Sequence, residues 1–343
     1  MAHDTLVIGG TPIHPGERQR VFIRLPQLYD FTTMTMPVDV IRGKEDGPRL
    51  FVSAAIHGDE INGVEVIRQL LRSAFINHIH GTLMAVPIVN VFGYNDKSRY
   101  LPDRRDLNRS FPGHPRGPLA SQLAHIFMQE IVMKATHGID LHTGALHRTN
   151  YPQIRAYLKD KDTHNIATAF QAPVIIDAQL RDGSLREAAR RLHMPMLLFE
   201  GGEALRYDPY AIDVALKGIR NVMYVIGMLP QKIQKPSHHR DTFFTALSSH
   251  WVRAPHSGSL QSHVKAGDRV VKKQILGMMS DPFGDNHARI ESPLDGVIIG
   301  ATTIPLLNAG DATFHIATLE DYEALKEYDT LADSQYGPIH QLT

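Results

Sequence analysis

Short apolar runs alternate with amphipathic stretches over most of the first 230 residues. The apolar runs have strand character and predict strands over 50–56, 82–90, 138–142, 153–158, 173–177 and 196–200, with two earlier strands over 20–25 and 36–41. Between them, apolar positions recur at helical spacing and predict helices over 63–75, 119–135, 163–170, 185–192 and 210–229. This order of elements predicts an α/β fold, a doubly wound mixed sheet with helices on both faces.

The pattern changes near Trp251, where short β-like runs are separated by glycine-containing turns and long helical periods are missing. This texture predicts a small all-β domain. The stretch 231–240, with lysine, proline and serine, is typical of a linker. We therefore expect an α/β domain over 1–240, which includes N-terminal strands within 1–45, an all-β domain over 241–330 and a tail over 331–343.

Composition narrows the class of protein. Lysine plus arginine equals aspartate plus glutamate, 36 each, so no overall basic field attracts nucleic acid or an anionic membrane. The absence of cysteine excludes disulfides and leaves histidine and carboxylate as the strong zinc ligands. The first thirty residues lack a signal-peptide pattern, and no run of eighteen apolar residues occurs. We expect a cytoplasmic protein without nucleic-acid or membrane partners.

Three residues at predicted strand ends have the pattern of a split zinc site. His57 and Glu60 follow the strand 50–56, and His142 ends the strand 138–142. The carboxyl ends of strands in open α/β sheets are where ligands collect. Two histidines and a glutamate leave a coordination position for water, which is the catalytic arrangement of zinc. The pattern predicts a metallohydrolase with one zinc ion per chain, although a lone His-x-x-Glu among 20 histidines would be weak evidence.

Two further strand ends carry polar residues. The loop 98–113 is rich in arginine, and its Asn108–Arg109 pair predicts substrate binding, because guanidinium groups bind carboxylates. The alternative is an exposed basic loop. The apolar run 196–200 ends in Glu200, which predicts a general base that later acts as a general acid. The alternative there is a helix cap or an arginine partner.

These motifs together resemble the succinylglutamate desuccinylase and aspartoacylase family, relatives of the zinc carboxypeptidases, over about residues 45–320. The motifs are His57-x-x-Glu60, the D-L-N-R-x-F-P-G segment 106–113, Asp140-Leu141-His142 and Phe199-Glu200. The resemblance implies a sheet of zinc carboxypeptidase type and a lipoyl-like barrel or sandwich at the C-terminus. It also implies an N-acyl amino acid amidohydrolase in which zinc is held by His57, Glu60 and His142 and Glu200 is base and acid.

The resemblance further implies that Asn108 and Arg109 grip the substrate carboxylate and that an upstream arginine polarises the scissile carbonyl. The chain offers Arg99, Arg104 and Arg105, and the spacing to the D-L-N-R segment differs from that of aspartoacylase by two residues. We choose Arg99 for this role.

Specificity is expected to depend on the segment 144–155, which differs from both named enzymes of the family. Arg148 and Arg155 are its strongest candidates for contacts with an anionic group of the substrate. The alternative is that both are ordinary charges at a strand edge.

We therefore expect a zinc-dependent deacylase whose partner is a small N-acyl amino acid or N-acyl diamino acid. One alternative is a zinc carboxypeptidase or muropeptide amidase that acts on short peptides. Another is a non-catalytic binding module, against which the filled ligand and base positions argue. Release of amine from small N-acyl compounds or from peptides would separate the first two. We also expect a homo-oligomer, a dimer or a tetramer.

Overall fold

Residues 5–230 and 244–318 are described by the computed structural model. They divide into two units, the first made of 5–230 with 302–304 and the second of 244–301 with 305–318. The predicted linker 231–240, the predicted boundary at 240–241 and the predicted tail 331–343 lie outside the described residues.

The first unit alternates strands and helices along the chain. Its strands are β1 Leu6–Ile8, β2 Thr11–Ile13, β3 Arg18–Arg24, β4 Thr35–Arg42, β5 Arg49–Ala54, β6 Thr82–Val86, β7 His137–Gly144, β8 Arg148–Ala156, β9 Val174–Asp177 and β10 Met196–Glu203. Its α-helices are α1 Asn62–Leu70, α2 Val91–Asp96, α3 Leu119–Glu130, α4 Lys161–Phe170, α5 Leu185–Arg191 and α6 Pro209–Val225. Short 3₁₀ turns are Ala74–His78, Leu107–Arg109 and Val132–Lys134.

The strands of this unit form a mixed sheet. Within its described residues the order is β9-β8-β10-β7-β5-β6-β4-β3, while β1 and β2 form a separate hairpin. The pairs β5/β6, β5/β7 and β7/β10 are parallel, whereas β8/β10, β4/β6 and β3/β4 are antiparallel. Because β5, β7 and β10 run the same way, their carboxyl ends meet at one edge of the sheet.

Successive side chains of a strand point to opposite faces of the sheet, and each face packs into a separate core. In β5, Leu50 and Val52 pack into the core formed with α1, α4 and α6, and Phe51 packs into the core formed with α3 and α5. A strand buried on both faces reads as a continuous apolar run, which is why the sequence showed runs and not alternation. The predicted doubly wound α/β sheet matches this architecture.

Several predicted boundaries were wrong by a few residues. The strand predicted over 82–90 ends at Val86, because the chain turns there and Asn90 caps α2, which the sequence did not predict. The helix predicted over 210–229 ends at Val225, shortly before Gly227 adopts a left-handed φ of 81°. The strand predicted from Gln153 begins at Arg148.

The second unit is built from strands alone within its described residues. These are β11 Phe244–Ala246, β12 Ser249–Arg253, β13 Gly258–Ser262, β14 Arg269–Val270, β15 Ile275–Ser280, β16 Ala288–Glu291, β17 Gly296–Thr302, β18 Leu306–Leu307 and β19 Ala312–Thr318. One group pairs in the order β12-β19-β17 with β14 on β17, and another in the order β16-β15-β13-β18. The predicted all-β character is consistent with this unit, and the lipoyl-like detail stays a prediction.

Among the described residues, no helix has the length and apolar character needed to cross a bilayer.

Candidate metal centre and active site

The predicted zinc ligands meet at the edge where the parallel strands end. His57 and Glu60 lie in the loop between β5 and α1, and His142 lies near the end of β7. All three residues are buried, and one ligand atom from each lies within 4.8 Å of the others. The structure thus brings together a trio of residues that could hold a metal ion.

The loop that carries two of these residues has a demanding backbone. Ala55 begins it with a left-handed φ of 51°. Gly58 then packs so closely on α2 that an added Cβ would lie 2.0 Å from the carbonyl carbon of Gly93. Only glycine allows this approach, because any other residue would clash with backbone. The glycine between His57 and Glu60 is therefore part of how the ligands are placed.

Glu60 lies at the centre of the trio. Its Oε1 is 2.7 Å from Nδ1 of His57, and its Oε2 is 2.7 Å from Nδ1 of His142. The backbone N–H of Thr143 also donates to Oε2, at 3.3 Å. Both imidazoles therefore turn the same ring nitrogen, Nδ1, towards the centre.

The outward nitrogen of each imidazole meets a carboxylate. Nε2 of His57 is 3.1 Å from Asp106, and Nε2 of His142 is 2.7 Å from Asp140. Ser53 donates a hydrogen bond of 2.7 Å to the other oxygen of Asp140. Metal-binding histidines usually carry such an outer carboxylate, which fixes the ring and raises its basicity as a ligand. The donor set and its outer partners fit a divalent metal ion.

The charges of the trio shift one another's pKa values. Burial alone would raise the pKa of Glu60, but the two histidines outweigh it and hold this pKa well below its usual range. Burial would lower the pKa of His142, but Asp140 and Glu60 outweigh it and raise this pKa well above its usual range. Without a metal ion, the site thus favours protonated imidazole beside ionised carboxylate.

Arg99 reaches the trio from the loop after α2. Its Nη1 donates to Oε1 of Glu60 at 3.4 Å, and its Nη2 donates to Asp106 at 3.0 Å. Arg104 and Arg105, the other candidates for the carbonyl-polarising role, are exposed to solvent. The structure therefore brings one of the three candidate arginines to the metal-binding residues.

Asn108 and Arg109 lie in the 3₁₀ turn that follows Asp106. The amide oxygen of Asn108 accepts a hydrogen bond of 2.9 Å from the backbone N–H of Leu185, at the start of α5, so it has a structural role. Arg109 is exposed, and its guanidinium donates to the backbone carbonyl of Asn108. Their role in gripping a substrate carboxylate stays a prediction.

Glu200 lies on β10, the strand next to the one that carries His142. The two residues are direct partners in the parallel pairing of β10 with β7. Oε2 of Glu200 accepts a hydrogen bond of 2.8 Å from Asn150, and Oε1 lies 3.8 Å from Nε of Arg155. The carboxylate predicted to act as base is thus adjacent to the candidate metal centre.

Comparison with known proteins agrees with this geometry. The model of the succinylglutamate desuccinylase/aspartoacylase catalytic domain matches residues 46–226, which is more than half of the chain. The chain belongs to the succinylglutamate desuccinylase/aspartoacylase family. Its relatives hydrolyse amide bonds, and this chain is accordingly an amide-hydrolysing enzyme.

Two curated members of the family illustrate the range of relatives. The N-α-acetyl-L-2,4-diaminobutyric acid deacetylase of Halomonas elongata is 26% identical over 87% of this chain and 91% of its own length. The succinylglutamate desuccinylase of Burkholderia thailandensis is 34% identical, but only over 34% of this chain and 32% of its own.

Solved structures of the family share the fold. The product-bound ectoine utilization protein EutE (DoeB) from Ruegeria pomeroyi has a TM-score of 0.79 at 24% identity, covering 92% of this chain and 100% of that one. The succinylglutamate desuccinylase/aspartoacylase from Rhodobacter sphaeroides has a TM-score of 0.78 at 24% identity, covering 89% and 96%. At this identity the likeness shows the fold and no more.

A positively charged region lies beside Glu200 in this member of the family. Burial, together with the nearby Arg155 and Arg181, lowers the pKa of Arg186 to about 10, although Glu200 opposes the shift. Arg186 is fixed by hydrogen bonds to the backbone carbonyls of residues 178 and 179. Arg148, at the start of β8, is half-buried. Substrate binding by Arg148 and Arg155 stays a prediction, and Nε of Arg155 lies 3.8 Å from Oε1 of Glu200.

Three polar residues that contact the predicted site residues, Asp106, Asp140 and Asn150, had no predicted role of their own. Asp106 and Asp140 belong to the family motifs, and Asp140 could have been assigned, because residues two apart on a strand share a face with each other. Asn150, the donor to Glu200, belongs to no motif. Only the pairing of β8 with β10 reveals it.

Proposed function

We propose that this member of the family is a zinc-dependent amidohydrolase that cleaves the amide bond of a small N-acyl amino acid or N-acyl diamino acid. The observation that carries the proposal is the buried trio of His57, Glu60 and His142, with Glu200 paired beside His142 on the next strand.

The choice of zinc rests on the chemistry of the donors. Two imidazole nitrogens and one carboxylate are the ligand set of many catalytic zinc sites, in which a water completes the coordination. Zinc bound there would lower the pKa of a water molecule towards neutrality and polarise a carbonyl oxygen. Other divalent ions accept the same ligands, so the identity of the metal is part of what must be measured.

The protein's own residues then have separate roles in the reaction. Glu200 accepts a proton from the attacking water and donates it to the leaving amine as the carbon–nitrogen bond breaks. Arg99, whose guanidinium lies beside Glu60 and Asp106, stabilises the negative charge that develops on the carbonyl oxygen. Asn108 and Arg109 hold the substrate carboxylate, which aligns the amide with Glu200.

The substrate class is proposed from two considerations. The relative from Halomonas elongata is named for the deacetylation of N-α-acetyl-L-2,4-diaminobutyric acid and matches this chain over most of its length. Arg109, Arg148 and Arg155 favour a substrate with at least one carboxylate, because guanidinium binds carboxylate in two-pronged fashion. Both considerations fit an N-acylated amino acid or diamino acid.

The proposal is tested by removing metal from the purified protein, restoring one zinc ion per chain and measuring amine release. The panel contains N-acetyl and N-succinyl amino acids, N-acetyl diamino acids and short peptides. We expect release from the small N-acyl compounds and no release by the metal-free protein. Release from peptides alone would replace the proposal with a zinc carboxypeptidase, and bound zinc without any amine release would overturn catalysis.

The assigned base is tested with Glu200→Gln. We expect this variant to keep its zinc and to lose at least about 1,000-fold in kcat, because proton transfer has no acceptor. Glu130→Gln is the matched control and should retain activity, because this carboxylate lies at the end of α3 and pairs with Lys134. A near-normal kcat in Glu200→Gln would show that the base has been wrongly assigned.

A further inference from the structure

The side chain of Asn150 makes a direct contact with the proposed base. Its Nδ2 donates a hydrogen bond of 2.8 Å to Oε2 of Glu200. Asn150 is 8% exposed, so the surrounding protein holds its amide in place and water competes little for this contact. Asn150 itself lies on β8, in the segment 144–155 on which specificity is expected to depend.

An irregular strand pairing brings Asn150 to this position. Glu200 pairs with Gln153 on the antiparallel strand β8, and in a regular ladder Gly202 would then pair with residue 151. Gly202 instead pairs with Asn150, one residue farther along. Because side chains alternate between faces, a slip of one residue exchanges the face that each side chain uses. The slip therefore turns Asn150, and not Tyr151, towards the face of Glu200.

The other buried amide of β8 is engaged elsewhere. Gln153 is the direct partner of Glu200 in the ladder, but its Nε2 donates to the backbone carbonyl of Tyr151 at 3.1 Å. Among the described residues, Asn150 is the hydrogen-bond donor to the Glu200 carboxylate. Oε1 of Glu200 receives no hydrogen bond from them, since Nε of Arg155 lies 3.8 Å away.

We propose that Asn150 is a positioning residue that fixes the Glu200 carboxylate through Oε2 and leaves Oε1 to carry the proton. The attacking water loses one proton to Oε1 while its oxygen bonds to the amide carbon. That proton passes from Oε1 to the amide nitrogen as the carbon–nitrogen bond breaks. A fixed carboxylate gives more efficient proton transfer than one that rotates between orientations. The inference rests on the proposed function, because it takes Glu200 as base and acid.

The experiment compares Asn150→Asp, Asn150→Leu and Asn150→Ser with the wild-type protein, all loaded with one zinc ion per chain. Aspartate and leucine keep the approximate size of asparagine, but leucine cannot donate, and aspartate replaces the amide donor with a second carboxylate beside Glu200. We expect both to lower kcat by about 10- to 100-fold, the effect of losing a hydrogen bond to a charged group. KM should stay within about threefold, because binding of the substrate does not require the contact. Serine carries its donor one bond nearer the backbone, out of direct hydrogen-bond reach of Oε2, and should lower kcat as leucine does.

Folding and metal loss are separated from positioning by two measurements on each variant, the zinc content and the midpoint of thermal unfolding. Asn221→Asp is the matched control, since Asn221 on α6 donates to the side chain of Gln171 at 3.3 Å. It should have the kcat of the wild-type protein. If kcat followed the unfolding midpoint and not the presence of a donor, Asn150 would be a packing residue and the inference would be wrong.

Failure of this inference is distinguishable from failure of the proposed function. If Glu200→Gln is inactive while Asn150→Asp and Asn150→Leu stay within about twofold of the wild-type kcat, only the positioning role is overturned. If Glu200→Gln keeps near-normal kcat, the base assignment and the role of Asn150 are overturned together.

Discussion

The metal trio and the surroundings of Glu200 are neighbours on one sheet edge, but their charges have opposite signs. Around His57, Glu60 and His142 the carboxylates of residues 59, 106 and 140 are opposed by Arg99. Beside Glu200, Arg186 interacts with the guanidinium groups of residues 155 and 181, and Glu200 and Asp177 oppose these positive charges. The first region therefore suits a cation, and the second suits an anionic group of a substrate.

The trio and Glu200 also differ in their hydrogen bonding. Both nitrogens of each trio histidine and both oxygens of Glu60 have partners within the described residues, so the geometry is set before a ligand arrives. Glu200 has one anchored oxygen and one that receives no such bond. The trio is thus preorganised, whereas Glu200 keeps one oxygen without a hydrogen bond from the described residues.

The largest effect is expected from removing a ligand of the trio. His142→Ala should lose both bound zinc and at least about 1,000-fold in kcat/KM, because a catalytic zinc site needs its three protein ligands. Metal analysis after dialysis and amine-release assays measure the two losses. His287→Ala, at an exposed histidine of the second unit, is the control and should match the wild-type protein. Full zinc content in His142→Ala would show that His142 is not a ligand of the metal ion.

A smaller effect is expected from replacing Asp106, the carboxylate that contacts Nε2 of His57. Asp106→Asn keeps the shape of the side chain but removes the negative charge that pairs with the imidazole of His57 and the guanidinium of Arg99. Zinc affinity should fall by about 10- to 100-fold, the usual effect of losing such a partner. Competition with a chelator measures the affinity, and Asp96→Asn, at an exposed position of α2, is the control. An unchanged affinity would show that the negative charge of this region is not used for metal binding.

The stability of the metal-free protein and its affinity for zinc should change in opposite directions as the pH rises. The raised pKa of His142 stabilises the metal-free fold below pH 6.5, and this contribution is lost as pH rises through the raised value. The lowered pKa values of Glu60 and Asp106 stabilise it above about pH 4.5, and this contribution is lost as pH falls. The metal-free protein should therefore be most stable between about pH 4.5 and 6.5.

Zinc should show the opposite trend, because its histidine ligands must be unprotonated. Apparent zinc affinity should rise by up to about tenfold per pH unit for each proton displaced, while the unfolding midpoint of the metal-free protein falls. Thermal unfolding of both forms between about pH 5 and about pH 9 measures the trend. A zinc-dependent gain in the midpoint that does not grow with pH would contradict it.

The smallest effect on metal binding is expected from the positively charged region. Arg155→Gln removes the guanidinium whose Nε lies 3.8 Å from Oε1 of Glu200. Zinc affinity should change by less than about threefold, while kcat/KM for an N-acyl amino acid falls, since the proposed contact of the guanidinium with the substrate carboxylate is lost. A large loss of zinc affinity would show that the two regions act as one electrostatic unit.

Much of the fold and the metal trio was accessible from the sequence. The apolar runs gave the strands of the sheet, since a strand buried on both faces is apolar throughout. His57, Glu60 and His142 were predicted because they follow such strands, and ligands gather at strand ends. The boundaries were less accessible, because the end of β6 depends on a turn and on the capping of α2 by Asn90.

The sequence by itself determined the α/β order of elements, the donor types available to a metal and membership of the family, because these depend on residue identity and local spacing. The tertiary structure alone decided which donor holds Glu200, and it showed that Arg99, the arginine chosen from the sequence, reaches the trio. Arg99, Arg104 and Arg105 are equivalent as residue types, but only one of them lies against Glu60 and Asp106. Asn150 faces Glu200 through a slip of one residue between β8 and β10. Such pairing is a long-range property, because it is set by packing between strands that are distant in the chain.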